Sequence, residues 1–503
     1  MSDHLWILEN SLLDKDRMRK RNDILDFFLL IILTLLLPLA TIGKIEPDNG
    51  THDDIYRYSD GYSFGPFYHY VNQVPDTLFA VLIFSLIGIF LILYYVFRYR
   101  HTGRKPGKIL LTVTLIYLCL RLVGTFLFPY GPLDFHFISP PEDNTPFTIS
   151  YSGFSIGGRI IQFVSELLSV FYVLELLTFL PTYSRHSYSL FRILIWICIL
   201  IPTFLLFYSW IVEGTRWLEN IRYLIDSQKR QDAFSSGNGL YPDILSLTTN
   251  KNVFGYFLLI GCFSFMTLFF HKHHFIYMIL AIIYCAFDLI ILSKTPFLIG
   301  AMAIFIASFS YPVLFHSKKL KSSILSMILF TIMVIVFNVF SFRYGLRLLI
   351  LTTINTANTL WTRINHVKIA LSMFKNQSPL LFIFGYGRFP FTAIYLPYQH
   401  IIPYEALWTS HNCYIESIMH TGIFGLVYLL FQDFLFLNRV RKTFRFHKES
   451  FVYFITFISI SLYSIFEPRI LFMNTGFEII LAYFLIIFPA CIDYGNKEEP
   501  CLL

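Results

Sequence analysis

Apolar residues gather in this chain into runs of about twenty, parted by short polar connections. An α-helix rises about 1.5 Å per residue, so roughly 20 apolar residues cross the hydrocarbon core of a bilayer. Such runs recur at approximately 24–43, 76–97, 109–129, 157–180, 189–212, 252–270, 274–292, 296–315, 322–341, 412–436, 450–466 and 474–491. The pattern predicts an all-α polytopic bundle of about twelve transmembrane helices, packed as one membrane domain over residues 1–503. No small-residue cleavage site follows the first run, which reads as a retained signal-anchor.

The polar connections orient the bundle, because Lys and Arg in short loops mark the cytoplasmic side. Lys15, Arg17, Arg19, Lys20 and Arg21 precede the first run. The even-numbered connections are basic as well: Arg98, Arg100, Arg104 and Lys105, then Arg185, then Lys272, then Lys318, Lys319 and Lys321, then Arg439, Arg441, Lys442, Arg445 and Lys448. The first and third loops carry acids instead, among them Glu46, Asp48, Glu142 and Asp143. Both termini are therefore expected in the cytoplasm. Two long loops, about 213–251 and 342–410, are expected outside, capping an active site.

Composition supports the same class: 55% of the 503 residues are hydrophobic and 14% charged, where soluble proteins carry about 25% charged residues. Cys119, Cys198, Cys262 and Cys285 sit in apolar runs, where cysteine behaves as a small hydrophobe. No CxxC pair exists, so neither a zinc knuckle nor a redox motif is available. No metal, cofactor or nucleic-acid partner is expected.

Candidate chemistry concentrates in the outer loops. The segment 342–410 holds Arg343, Arg347, Arg363, Lys368, Lys375 and Arg388 against one acid, Glu405. A segment so poor in carboxylates suits an anion, and arginine forks match phosphate oxygens in pairs. Attraction to anionic lipid headgroups is the plainer alternative. Leu360, Ile364, Val367, Leu371 and Phe374 recur at helical spacing and predict an amphipathic helix along the outer surface. A Gly385-Tyr386-Gly387-Arg388 turn follows. The earlier loop supplies Arg216, Arg222, Lys229 and Arg230, and Ser293-Lys294 lies in the short seventh loop. The tenth run opens with His411-Asn412, and Asn412, Glu416 and His420 recur every fourth residue as one polar stripe down a helix. Polar groups inside a membrane are costly and point to function. Gly422 and Gly425 allow another helix to approach closely.

Here the chain resembles the bacterial O-antigen ligase and polymerase superfamily. His411-Asn412, nine residues and then Gly422-Ile423-Phe424-Gly425 fit that family's HN-x9-G-x-x-G pattern without a gap. Asn252-Val-Phe-Gly255, Ser293-Lys294, and Arg363 with the Pro379…Gly385-Tyr-Gly387 turn precede it in the family's order. The resemblance covers about 213–436. Lys294 stands where members usually have arginine, and Trp361 precedes Arg363 where they often place tryptophan after it.

The resemblance implies an inverting, metal-independent glycosyltransferase acting on a polyprenyl-diphosphate-linked oligosaccharide at the outer face of the bacterial inner membrane. Such a reaction needs a base near the acceptor hydroxyl and positive charge around the departing diphosphate. His411 suits the first role. Arg230, Arg363, Arg388 and Lys294 suit the second, with Arg216, Arg347, Asn412 and Glu416 as further substrate-binding candidates. Flippase and chain-length-regulator proteins are the partners that the resemblance suggests.

Three activities share these motifs: polymerisation of repeat units, ligation of finished glycan to a lipid core, and transfer to protein. The composition resembles capsule or exopolysaccharide polymerases more than core ligases. A transporter or flippase of lipid-linked oligosaccharide is a different class, and Arg121, Glu166, Glu175 and Asp288 inside apolar runs would serve it if they lined an aqueous path. Pairing between spans, such as Arg121 with Glu166, is the plainer account. A structural protein without catalysis is the third reading.

Overall fold

The computed structural model describes residues 76–103, 105–127, 133–138, 146–151, 156–183, 188–225, 251–291, 293–315, 379–385 and 412–466, with a few single positions besides. In chain order the elements are α1 (Asp76–Thr102), α2 (Lys108–Leu127), β1 (Leu133–Ile138), β2 (Pro146–Tyr151), α3 (Ile156–Tyr183), α4 (Tyr188–Val212), α5 (Gly214–Ile225), α6 (Lys251–Lys272), α7 (Phe275–Ile290), α8 (Lys294–Leu314), α9 (Pro379–Phe384), α10 (Cys413–Phe446) and α11 (Phe451–Phe466). Every expected span within the described residues coincides with a helix. The expected runs at 24–43, 322–341 and 474–491, and the surface helix expected around 358–375, lie outside them.

Among the described residues four stretches are long and apolar enough to cross a membrane: Ile193–Val212, Asn252–Lys272, Thr421–Phe444 and Lys448–Phe466. Val170–Phe179, Phe275–Ile290 and Thr295–Tyr311 are apolar but shorter. The described residues thus form a helical, apolar bundle, with one exception among them to the all-α expectation. Strands β1 and β2 pair antiparallel between α2 and α3, with Leu133 opposite Tyr151 and Ile138 opposite Pro146. The reason is local: Leu133, Phe135 and Phe137 alternate with Asp134 and His136, a period of two that suits a strand.

Helix α6 is the centre of the bundle. Its residues from Val253 to Phe270 are enclosed, packed by α4, α7, α8 and α11. Its serine and threonine cost little there because both bond their own helix: Ser264 Oγ donates to the Ile260 carbonyl at 2.8 Å, and Thr267 Oγ1 to the Phe263 carbonyl at 2.8 Å. His273 and His274 reverse the chain into α7, with His273 in the left-handed region at φ 57°. Ile291 to Ser293 reverse it again into α8, so α6, α7 and α8 run up, down and up.

Ring contacts fix the rest of the register. Phe436 meets Phe457 at 4.7 Å between centroids and Phe444 meets Phe451 at 5.8 Å, so α11 runs antiparallel to the long second part of α10. The two ends of the bundle differ in chemistry. At one end His271 Nε2 and the Tyr453 hydroxyl are 2.5 Å apart, and His273 Nδ1 and the Tyr311 hydroxyl are likewise 2.5 Å apart. That end carries the α6–α7 and α10–α11 connections, with Lys272 and Lys448. The start of α6, the α7–α8 turn and the last turns of α11 lie at the other.

Candidate functional site

Two of the sequence elements singled out above meet in space where α6 begins. Ser293 is the N-cap of α8, yet its hydroxyl makes no bond to its own helix. It donates to Asn252 Oδ1 at 3.3 Å instead. Its backbone N–H donates to the Asp288 carbonyl at 3.0 Å, which ties the cap to the end of α7. One turn into α6, Gly255 lies under this cap: a Cβ there would sit 2.4 Å from Ser293 Oγ and 2.9 Å from Pro296 Cγ. Pro296 is accommodated in the first turn of α8, where a backbone N–H would lack an intrahelical partner anyway. The Asn-x-x-Gly and Ser-Lys elements are therefore two halves of one junction. Lys294 is the first helical residue of α8; its side chain lies outside the described residues.

The second junction forms around Asn412. Its Oδ1 accepts from the backbone N–H groups of Tyr414 at 3.0 Å and Ile415 at 3.1 Å, a side-chain cap on the first turn of α10. The expected tenth span, opening at Asn412, needs correction, although the positions of Asn412, Glu416 and His420 all precede the break. Helix α10 breaks at Gly422, whose φ of 69° and ψ of −171° are not helical. The spanning stretch begins at Thr421, and residues 413–421 form a separate short helix. The physical reason is α9, whose Ile383 carbonyl carbon and oxygen press against Gly422 so closely that no Cβ fits.

That short helix folds back toward the bundle. The Tyr414 hydroxyl lies beside the side chain of Ser461 on α11 and near Asp433. In an unbroken helix Tyr414 and Asp433 would be about 28 Å apart. Extending the Phe436–Phe457 pairing by one turn brings Ser461 level with Gln432 and Asp433, the same height by a separate route. Two residues further on, the Tyr463 hydroxyl donates to the Asn252 carbonyl at 3.2 Å. The last turns of α11 therefore hold the Asn412 junction on one side and the Asn252–Ser293 junction on the other. The motifs converge at one end of the bundle.

At this end α4 also passes into α5, a surface helix with Trp217 and Asn220 buried and Arg216, Leu218, Glu219 and Arg222 exposed. Glu213 organises it. Its carboxylate accepts from Arg216 Nη1 at 3.0 Å, from Ser209 Oγ at 3.1 Å and from the Ser246 N–H at 2.8 Å. Trp217 Nε1 donates to Ser209 Oγ at 2.8 Å, and its ring meets Phe287 of α7 at 5.8 Å. Arg216, a candidate for the diphosphate, is thus paired with an acid while about half of its side chain stays exposed (48%).

Of the other candidates, His411, Arg230, Arg347, Arg363 and Arg388 lie outside the described residues, as does the side chain of Glu416. His411 is peptide-bonded to Asn412, whose place is given above. Sequence reasoning missed Tyr414, Ser461, Tyr463 and Glu213. Ser461 and Tyr463 carried a signal, being polar groups inside an apolar run; Tyr414 carried none. Among the described residues no group of three His, Cys, Asp or Glu side chains is placed to hold a metal ion.

Comparison with known families finds that residues 280–430 match the model of the family described as O-Antigen ligase. The match starts in α7 and ends in α10, taking in Ser293-Lys294, Arg363, the Gly385 turn and the His411…Gly425 element. It supports the superfamily resemblance, a role of O-antigen ligase or polymerase type in polysaccharide biosynthesis, and a membrane-embedded protein acting on lipid-linked oligosaccharide. No curated protein and no solved structure matches the chain.

Proposed function

We propose that this chain, whose residues 280–430 are those of an O-antigen ligase family, polymerises polyprenyl-diphosphate-linked oligosaccharide repeat units at the outer face of the bacterial inner membrane. The observation that carries the reading is the convergence of the Asn252–Ser293 and Asn412 junctions on the last turns of α11. Motifs from three distant stretches of chain share one end of the bundle, the end opposite the α6–α7 and α10–α11 connections. His411, next to the capping Asn412, takes the proton of the acceptor hydroxyl as that oxygen attacks the anomeric carbon. The bond from that carbon to the diphosphate breaks with inversion. Lys294 and the arginines Arg230, Arg363 and Arg388 stabilise the negative charge of the leaving diphosphate, with Arg216 and Arg347 at the periphery. The transfer needs no metal ion, both chain termini are cytoplasmic, and about twelve helices cross the membrane.

The test is a polymer-length gel from cells producing His411→Ala at wild-type membrane levels. Loss of long polymer is expected; polymer of normal length, attached to its acceptor as in wild type, would refute the catalytic role. Ligation is the second reading, favoured by the description of the matching family. In that case His411→Ala leaves full-length polymer on its lipid carrier and unattached to the acceptor.

A further inference from the structure

Arg121 lies in α2, far upstream of the family match, and is almost wholly buried at 4% exposure. An arginine in an apolar helix needs partners, and the sequence suggested Glu166, whose side chain lies outside the described residues. One partner is of another kind: Arg121 Nη1 donates to the backbone carbonyl of Phe384 at 3.3 Å. Phe384 ends α9, where carbonyls have no intrahelical acceptor role left to fill. Gly124, three residues on, lies against the same residue: a Cβ there would come 3.3 Å from both the Cβ and the carbonyl oxygen of Phe384. The preceding carbonyl, that of Ile383, is the one pressed on Gly422. The last turn of α9 is therefore held between α2 and the break in α10.

We infer that Arg121 is a positioning residue for the candidate base. By holding the Phe384 carbonyl it keeps α9 seated on Gly422, and so sets the angle at which 413–421, with His411-Asn412 ahead of it, enters the site. The inference rests on the role proposed for His411 and adds a second, activity-independent consequence. Cys413 is the first residue of that short helix and is 2% exposed, so its thiol reports whether the helix is seated.

The experiment uses the full chain in lipid nanodiscs with every cysteine except Cys413 replaced by serine or alanine. Maleimide labelling of Cys413 is measured beside transfer kinetics on polyprenyl-diphosphate-linked oligosaccharide. Arg121→Ala should speed labelling several-fold and lower kcat by about 10–100-fold, the scale of a misplaced catalytic group, while KM for the donor changes less. Gly124→Ala should move both readouts the same way to a smaller extent, and Arg121→Lys should restore most of each. Unchanged Cys413 labelling in Arg121→Ala overturns the inference. So does a rise in donor KM at constant kcat, which would place Arg121 on the diphosphate. His411→Ala in the same background separates the two levels: full activity there refutes the proposed function, whereas loss there with normal Arg121→Ala behaviour refutes only the positioning role.

Discussion

Gly422→Ala tests the break in α10, because the two possible shapes of that helix predict opposite signs. In an unbroken helix, replacing glycine by alanine stabilises by roughly 0.5–1 kcal/mol, since alanine loses less backbone freedom on folding. In the structure described here Gly422 has φ 69° and ψ −171°, a region essentially closed to residues with a Cβ, at a cost of about 1–3 kcal/mol. The new methyl would also lie 2.0 Å from the Ile383 carbonyl oxygen, 2.4 Å from its carbon and 2.7 Å from Phe384 N. All three are backbone atoms, so no rotamer change relieves the contact, and overpacking adds about 1–3 kcal/mol. The sum, about 2–6 kcal/mol, is a large share of a typical folding free energy of about 5–15 kcal/mol.

The measurement is thermal unfolding of the purified protein in detergent, followed by intrinsic fluorescence. Gly88→Ala in α1 serves as the reference, because a Cβ there meets only Leu168 Cδ2 at 4.0 Å. Gly88→Ala should hold or raise the midpoint and Gly422→Ala should lower it by several degrees. A midpoint for Gly422→Ala at or above wild type would mean that the helix runs straight through, and the fold-back of 413–421 would fall with it.

Gly255→Ala should destabilise by about 1–3 kcal/mol by displacing the Ser293 cap, seen as a lower unfolding midpoint, and Ser293→Gly in the same chain should recover part of the loss. Asn412→Ala removes a cap worth about 1 kcal/mol, and Asn412→Asp should retain most of it; unfolding midpoints of the two variants, compared in one buffer, check the order. Glu213→Ala leaves the Ser246 N–H, Ser209 and Arg216 without their shared acceptor, a loss of about 1–3 kcal/mol. Faster tryptic cleavage at Lys229 or Arg230 is the expected sign, and an unchanged rate would mean that Glu213 does not hold that loop.

The helices were legible because the requirement that reveals them is crude: enough consecutive apolar residues to cross a bilayer. The junctions were not. Ser293 and Asn252 stand at the starts of two different helices, and nothing in their spacing of 41 residues says that one bonds the other. Gly422 was read as a place of close approach, which it is. Close approach and a positive φ both call for glycine, so the sequence could not disclose that the chain also breaks there. Arg121 pointed to a carboxylate because carboxylates are visible in a sequence; a helix-end carbonyl such as that of Phe384 is not, since every residue has one. The strands β1 and β2 were overlooked for a simpler reason: their alternation spans only six residues each and sits beside acidic residues that drew the loop reading.

The break in α10 also bears on the choice between glycosyl transfer and transport. Transporters use discontinuous helices as well, but place the break near the bilayer midplane, where substrate groups bind. The height of Gly422 therefore matters more than its existence. The Phe436–Phe457 and Phe444–Phe451 contacts bring Phe466, the last residue of α11, level with approximately Tyr428 of α10. Gly422 then lies about 9 Å beyond the level of Phe466, at the start of the spanning stretch Thr421–Phe444. Asn252, Ser293 and Asn412 are likewise helix-end residues rather than mid-span ones. Two of the acids that a transport path would use are enclosed, Asp288 at 0% exposure and Glu175 at 5%, so neither lines an open aqueous path. A discontinuity at the rim of the bundle, with Asp288 and Glu175 shut away, suits a site that works on a headgroup at the membrane surface. It does not suit a site that carries the headgroup through.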